Sequence, residues 1–176
     1  MVVKEYDSPC GLLYMASIGG ELCLCSWQGL SACYGIFEEA DKPSGAAGAS
    51  DYRSEWDVLE KAVNELDEYF AGERKKFDIP LRLYGTDFQN RVWSELLKIP
   101  YGQTMSYSTV ARIIGAPRAV RAVANACARN PLSIFVPCHR VVSRIGKLTG
   151  YAGGLEAKRM LLDIERGVAI PEVEAG

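Results

Sequence analysis

Near residue 40 the spacing of apolar residues changes, and that change divides the chain. Before it, apolar and polar positions alternate in short runs: residues 2–6, 12–18, 21–27 and 31–37. Gly and Pro punctuate them at Asp7-Ser8-Pro9-Cys10-Gly11, Gly19-Gly20 and Gln28-Gly29, the chemistry of tight turns between antiparallel strands. A small antiparallel sheet is predicted. Residues 40–50, rich in Gly, Ala and Ser, read as a flexible connection. Over residues 51–75 the apolar positions are Trp56, Leu59, Val63, Leu66, Tyr69 and Phe70, separated mainly by threes and fours. That spacing predicts an amphipathic helix with an acidic outer face. Residues 77–84, carrying Pro80, read as an extended piece that closes the first lobe.

From Thr86 the pattern is helical. Phe88, Val92, Trp93, Leu96 and Leu97 form one stripe that stops before Pro100-Tyr101-Gly102. Ser106 is a good N-cap for a helix that Gly115 would end, and Pro117 suits the first turn of a second helix running to about Arg129. Two short helices joined by a three-residue, glycine-containing turn make a helix-turn-helix. Val120, Val123, Ala124 and Cys127 are spaced for packing, while Arg118, Arg121, Asn125 and Arg129 recur on the other side. Ala119, Ala122 and Ala126 add little bulk, so this helix could approach another surface closely. Residues 143–154 are turn-rich with several glycines, and 155–166 form a final helix offering Leu155, Leu161, Leu162 and Ile164 to a core. Glu165 near its end reads as a surface charge or a histidine orienter.

The expected class is therefore α/β in the α+β sense: residues 1–84 as a sheet-plus-helix lobe and 85–170 as a mostly helical domain with the helix-turn-helix. Composition fits an ordinary globular protein, 48% hydrophobic and 24% charged. No apolar run reaches the roughly 18 residues of a membrane span, and residues 1–7 lack a secretory apolar core, so the cytoplasm is the expected compartment. In that setting the cysteines at 10, 23, 25, 33, 127 and 138 are expected as core thiols rather than disulfides. Zinc would need four convergent ligands, and no standard knuckle spacing is present, so no metal is expected. Charge is unevenly placed. Between Phe88 and Lys147 nine Lys/Arg face a single acid, Glu95, giving +8 within a chain of net −2. One surface should meet a polyanion.

Val136-Pro137-Cys138-His139-Arg140-Val141 contains the only histidine of the 176 residues. A thiol is a weak nucleophile until it ionises, and a nearby imidazole is the usual means of activating it. Apolar Ile134-Phe135-Val136 before it places the cysteine at the inner end of a buried segment, where a packed, inert thiol is the other reading.

Taken together, these pieces resemble the O6-alkylguanine-DNA alkyltransferase family. The resemblance is carried by Pro137-Cys138-His139-Arg140-Val141, by Arg121-Ala122-Val123 and Asn130-Pro131, by Ile99-Pro100-Tyr101-Gly102 with Ser106-Tyr107, and by the run from Thr149 through Tyr151-Ala152-Gly153-Gly154 to Leu155. It is dense from about 88 to 165; upstream it rests on Ser8-Pro9-x-Gly11 and the strand-then-helix layout, and implies a ribonuclease H-like lobe. It implies single-use repair of double-stranded DNA without cofactor: an alkyl group passes from guanine O6 (O4-alkylthymine being a further candidate) to Cys138. His139 would take the thiol proton through a water, Glu165 would hold the second histidine nitrogen, and Asn130 would brace the adjoining turn. Arg121 would fill the place of the extruded base and Tyr107 would push the 3′ phosphate round. Tyr151 and the backbone near Ala152 would bond the flipped guanine, and Val141 would wall the pocket. Arg118 and Ala122 would lie on the surface meeting the minor groove, and the protein is expected to act as a monomer. The run Ala119-Val120-Arg121-Ala122-Val123-Ala124-Asn125-Ala126-Cys127 carries alanines where many members have glycines.

Two other functions fit parts of the pattern. A helix-turn-helix regulator would not need Cys138, and leaves the Cys-His pair unexplained. A cysteine hydrolase would use the same trio with turnover, and leaves the basic segment unexplained.

Overall fold

The structure, a computed structural model, describes residues 1–29 and 52–168. The strand expected at 31–37, the connection at 40–50, Cys33 and the last eight residues lie outside them.

Three antiparallel strands open the chain: β1 (Val2–Ser8), β2 (Gly11–Ile18) and β3 (Glu21–Ser26), in the order β1-β2-β3. Gly19 and Gly20 (φ 62° and 74°) make the β2–β3 turn in a conformation that side chains disfavour. A register slip between Ala16 and Ser17 lets Leu22 and Cys25 both turn backbone groups to the outer edge of β3. Two other segments satisfy that edge. Leu22 N–H donates to the Pro80 carbonyl (2.9 Å) and Arg82 N–H to the Leu22 carbonyl (2.9 Å). Further along, Cys25 N–H donates to the Pro131 carbonyl (2.8 Å) and Ser133 N–H to the Cys25 carbonyl (2.8 Å). The sheet thus reaches directly into the second half of the chain.

Helix α1 (Tyr52–Phe70) packs across the sheet with Leu59, Ala62, Leu66 and Tyr69 buried. It ends five residues before the expected limit, where Gly72 takes a left-handed φ of 77°. Its apolar and acidic faces depart from the expected pattern. Trp56 is 44% exposed, with the Lys4 ammonium over its ring at 6.0 Å. Glu55 and Glu65 are buried instead of facing solvent, because each satisfies backbone donors of a turn. Glu55 accepts from Gly19 and Gly20 N–H (2.7 and 3.4 Å), and Glu65 from Asp78 N–H (2.8 Å).

Helix α2 (Asp87–Leu96) starts with a full capping box between Thr86 and Gln89 and buries Val92, Trp93 and Leu96; Leu97, expected on that stripe, is 44% exposed. The two-residue β4 (Met105–Ser106) leads into α3 (Tyr107–Ile113), capped by Ser106. Helix α4 (Val120–Ala128) follows. Pro117 and Arg118 lie in the connecting turn rather than in α4, and that turn is longer than the expected three residues and pivots on Gly115 (φ 74°). A 3₁₀ turn, Cys138–Arg140, runs into β5 (Val141–Val142), parallel to β4, and α5 (Gly154–Glu165) closes the described chain. Leu155, expected in the core, is 47% exposed at the first turn of α5. One apolar cluster joins sheet, α1 and the later helices, running from Leu13, Leu22 and Leu66 to Trp93, Val123, Leu132 and Leu161. No helix among the described residues is long and apolar enough to cross a membrane.

Candidate active site

Between α4 and β5 the chain folds back on itself, and Asn130 holds that fold. Its Oδ1 accepts from Leu132 N–H (3.0 Å), and its amide donates to the Val136 carbonyl (2.9 Å) and to the sulfur of Cys138 (3.1 Å). The loop is closed by Val136 N–H to the Leu132 carbonyl (2.8 Å), and its tip, Ile134, is forced to φ 73°. That is a costly conformation for a β-branched residue, of order 1–3 kcal/mol. Cys138 N–H then donates to the Val136 carbonyl (2.8 Å) and Arg140 N–H to that of Pro137 (3.0 Å), winding the 3₁₀ turn. Cys138 is 4% exposed and His139 fully buried, so the thiol does sit at the inner end of an apolar run.

Glu165, from the last turn of α5, collects donors from three parts of the chain. His139 Nε2 lies 2.7 Å from Oε1, and Tyr69 of α1 donates its hydroxyl to the same oxygen (2.8 Å). Gly102 N–H reaches Oε2 (3.0 Å), and Arg140 donates Nε to Oε2 (2.9 Å) and Nη2 to Oε1 (3.0 Å). Burial alone would raise this carboxyl; the His139 hydrogen bond and the Arg140 guanidinium outweigh it and hold Glu165 down to about 2. Burial lowers His139 below its ordinary 6.5 against the pull of Glu165. The imidazole is then neutral near pH 7, with its proton on Nε2 facing the carboxylate. Nδ1 has no hydrogen-bond partner among the described residues and is left as a proton acceptor. Burial pushes the Cys138 thiol up, opposed by the Asn130 amide and the Lys158 ammonium.

Lys158 of α5 is wholly buried, its ammonium donating to the carbonyls of Val141 (2.6 Å) and Thr149 (3.1 Å) and to the Tyr107 hydroxyl (3.4 Å). Thr149 also donates to that hydroxyl (3.2 Å), so the Tyr107 oxygen is supplied with donors and its own proton is directed elsewhere. Tyr151 sets its ring edge-on to His139 at 6.5 Å, and its hydroxyl is buried without a partner among the described residues.

The structure therefore brings together two hydrogen-bonded pairs, Asn130–Cys138 and His139–Glu165, joined by the peptide bond between 138 and 139, with Val141, Tyr107 and Tyr151 beside them. Ala152 lines a neighbouring cavity of about 230 Å³ together with Arg129, Asn130 and Pro131. Arg118, Arg121 and Ala122 are not part of the group; they stand exposed at the start of the α4 face, with Asn125 and Arg129 further along. Ala126, expected on that small-residue surface, is buried because it carries the carbonyl that accepts from Trp93 Nε1 (2.9 Å). Cys127 is a core thiol, as expected. Arg140 is corrected: counted among nine surface cations, it is buried and committed to Glu165 and to the Ile99 carbonyl (2.6 Å). Sequence reading also passed over Tyr69, Gly102 and Lys158. Gly102 was read only as part of the Pro100-Tyr101-Gly102 turn, and Tyr69 and Lys158 carry no local motif for the site, since each acts through a partner 17 to 96 positions away. Among the described residues no three His, Cys, Asp or Glu side chains converge on a metal site.

Known proteins match this arrangement along its length. The ribonuclease-like domain of 6-O-methylguanine DNA methyltransferase matches residues 1–83, and that family's DNA binding domain matches residues 87–167. A methylated-DNA--protein-cysteine methyltransferase of Mycobacterium bovis is 45% identical over 170 residues, covering 94% of this chain and 93% of the relative. A constitutive one from Bacillus subtilis is 55% identical over 109 residues, covering 61% of this chain and 66% of the relative. The crystal structure of Mycobacterium tuberculosis OGT in complex with DNA superposes with a TM-score of 0.75 at 40% identity, covering 95% of this chain and 94% of that one. These likenesses agree with the buried Cys-His-Glu group, and the chain belongs to the 6-O-methylguanine DNA methyltransferase family.

Proposed function

We propose that this protein repairs DNA by moving an alkyl group from O6 of guanine to its own Cys138, once per molecule. The observation that carries this reading is the buried Glu165–His139 pair: it leaves Nδ1 without a partner among the described residues, on the residue next to a thiol that Asn130 already contacts. The Cys138 proton passes to Nδ1 by way of a water, and the sulfur attacks the alkyl carbon. The carbon–O6 bond breaks, its electron pair stays on guanine, and a thioether remains on the protein. A thioether offers water no leaving group, so the reaction ends there. Val141 walls the pocket beside the sulfur, and no cofactor takes part.

A lesion inside a duplex must be extruded first, at a cost of a few kcal/mol. Arg121, exposed on the first turn of α4, fills the vacated stack. Tyr107 turns the 3′ phosphate, and Tyr151 with the backbone at Ala152 bonds the flipped base. Small Ala122 and the Arg118 turn let α4 lie in the minor groove, where binding rests on phosphate charge and groove shape. On this reading residues 1–84 support and 85–170 react, and a monomer acts in the cytoplasm.

The test is intact mass followed by peptide mapping after incubation with excess duplex containing O6-methylguanine. A gain of about 14 Da on Cys138 that then stops is expected, the mark of a nucleophile consumed by its product. An unchanged mass with the duplex bound would leave a lesion-binding protein, and continued turnover would leave a hydrolase.

A further inference from the structure

Trp27, just past β3 and given no part in the chemistry above, touches the reacting half of the molecule behind the proposed base-binding Tyr151. Its indole meets the Tyr151 ring edge-on at 5.3 Å. It also lies so close over Gly153 that a Cβ there would come within 2.8 Å of the ring. Gly153 has φ −84°, a backbone conformation any residue adopts, so the indole alone requires glycine at this position. The same strand holds the opposite wall: Cys25 exchanges backbone hydrogen bonds with Pro131 and Ser133, in the loop braced by Asn130. Ser26 and Gln28, flanking Trp27, line the 230 Å³ cavity between Asn130-Pro131 and Ala152. The indole N–H is buried with no acceptor among the described residues, a cost that a phenylalanine or leucine would avoid.

We infer that Trp27 is a positioning residue of the amino-terminal lobe: by packing on Tyr151 and Gly153 while its own strand grips the Asn130 loop, it sets the separation of the two walls and hence the size of O6 substituent the site accepts. The inference rests on the alkyl-transfer reading. It differs from simple packing because the contact should be felt in the rate at saturating DNA and in substrate size, and not in DNA affinity.

Gly153→Ala supplies the test, paired with Trp27→Leu and Trp27→Phe. Single-turnover transfer at saturating duplex and the Kd for undamaged duplex are measured with O6-methylguanine and O6-butylguanine, and thermal melting confirms that each variant folds. Gly153→Ala should slow methyl transfer about tenfold or more, as expected when a reacting group is displaced by a fraction of an ångström, with Kd nearly unchanged. Combining it with Trp27→Leu should restore most of that rate, because the added methyl then has room. Trp27→Leu should raise the butyl-to-methyl rate ratio, and Trp27→Phe should stay near wild type. A Gly153→Ala protein with wild-type rates, or one that no Trp27 variant rescues, overturns the inference; so does parallel loss of rate and DNA affinity. Wild type is run alongside: if it fails to methylate, the alkyl-transfer reading falls, whereas normal wild-type repair with indifferent variants removes only the role of Trp27.

Discussion

Asn130 holds three partners at once: the Leu132 amide, the Val136 carbonyl and the Cys138 sulfur. Replacing it by alanine strands the buried Leu132 N–H, while the Val136 carbonyl keeps the Cys138 N–H, so Asn130→Ala should lower the denaturation free energy by about 1–3 kcal/mol. It also removes a donor that works against burial at the thiol. The pH profile of Cys138 alkylation by iodoacetamide should therefore move to higher pH, while that of a surface thiol would not. Cys138 and His139 stood out in the sequence because they are adjacent and the histidine is the only one, and Asn130 through the family resemblance that Asn130-Pro131 carries. The sequence did not reveal Lys158 or Arg140, since a buried cation looks like a surface one until its carbonyl or carboxylate partner is known.

Among the elements, α3 was legible at its Ser106 cap and α4 at its end near Arg129, and both less so between them. Ser106 caps as expected, but Pro117, a good first-turn residue, lies in a turn because Gly115 takes a left-handed bend and the chain needs several more residues to reverse. Asp57, Glu60 and Asp67 of α1 face outward as expected, but Glu55 and Glu65 do not, for a related reason: periodicity records where carboxylates lie on a helix, not which turn packs over them. The exposed side chains of Arg118 and Arg129 belong to the proposed DNA face. Arg118→Ala and Arg129→Ala should each reduce the slope of log K against log salt by about 0.9 for every phosphate left without its cation, measured by titration with undamaged duplex. Lys98, already paired with Glu95 at 2.8 Å, should leave that slope unchanged when neutralised.

Across the whole molecule, Glu165 is the point where α1, the Gly102 turn, the 3₁₀ turn and α5 meet. Stability should therefore report on its charge. Its carboxyl is held near 2 when folded against an ordinary 4.5, so its contribution is complete above about pH 4.5 and is lost as pH falls toward 2. His139 acts in the same direction. Its folded value lies below 6.5, so the unfolded chain takes up the proton first and stability begins to fall below about pH 6.5. Urea midpoints should be flat above neutrality, decline from about pH 6.5 and steepen below 4.5. In Glu165→Gln the steep acid limb should disappear. That variant should also be about 3–5 kcal/mol less stable at neutral pH, because Arg140 is left as an uncompensated buried charge. Beyond Glu165 as a candidate histidine orienter, this convergence was not readable from local pattern, because Tyr69 and Glu165 are 96 positions apart.

The single histidine of the chain is the one that Glu165 grips. Proton magnetic resonance of this protein consequently contains one imidazole Cε1–H line, and it originates from the residue next to Cys138, the proposed acceptor. No isotope labelling or assignment is needed to follow it. Its titration gives the His139 pKa directly, expected below 6.5, and its displacement on incubation with damaged duplex would time the chemistry at Cys138 from within the site.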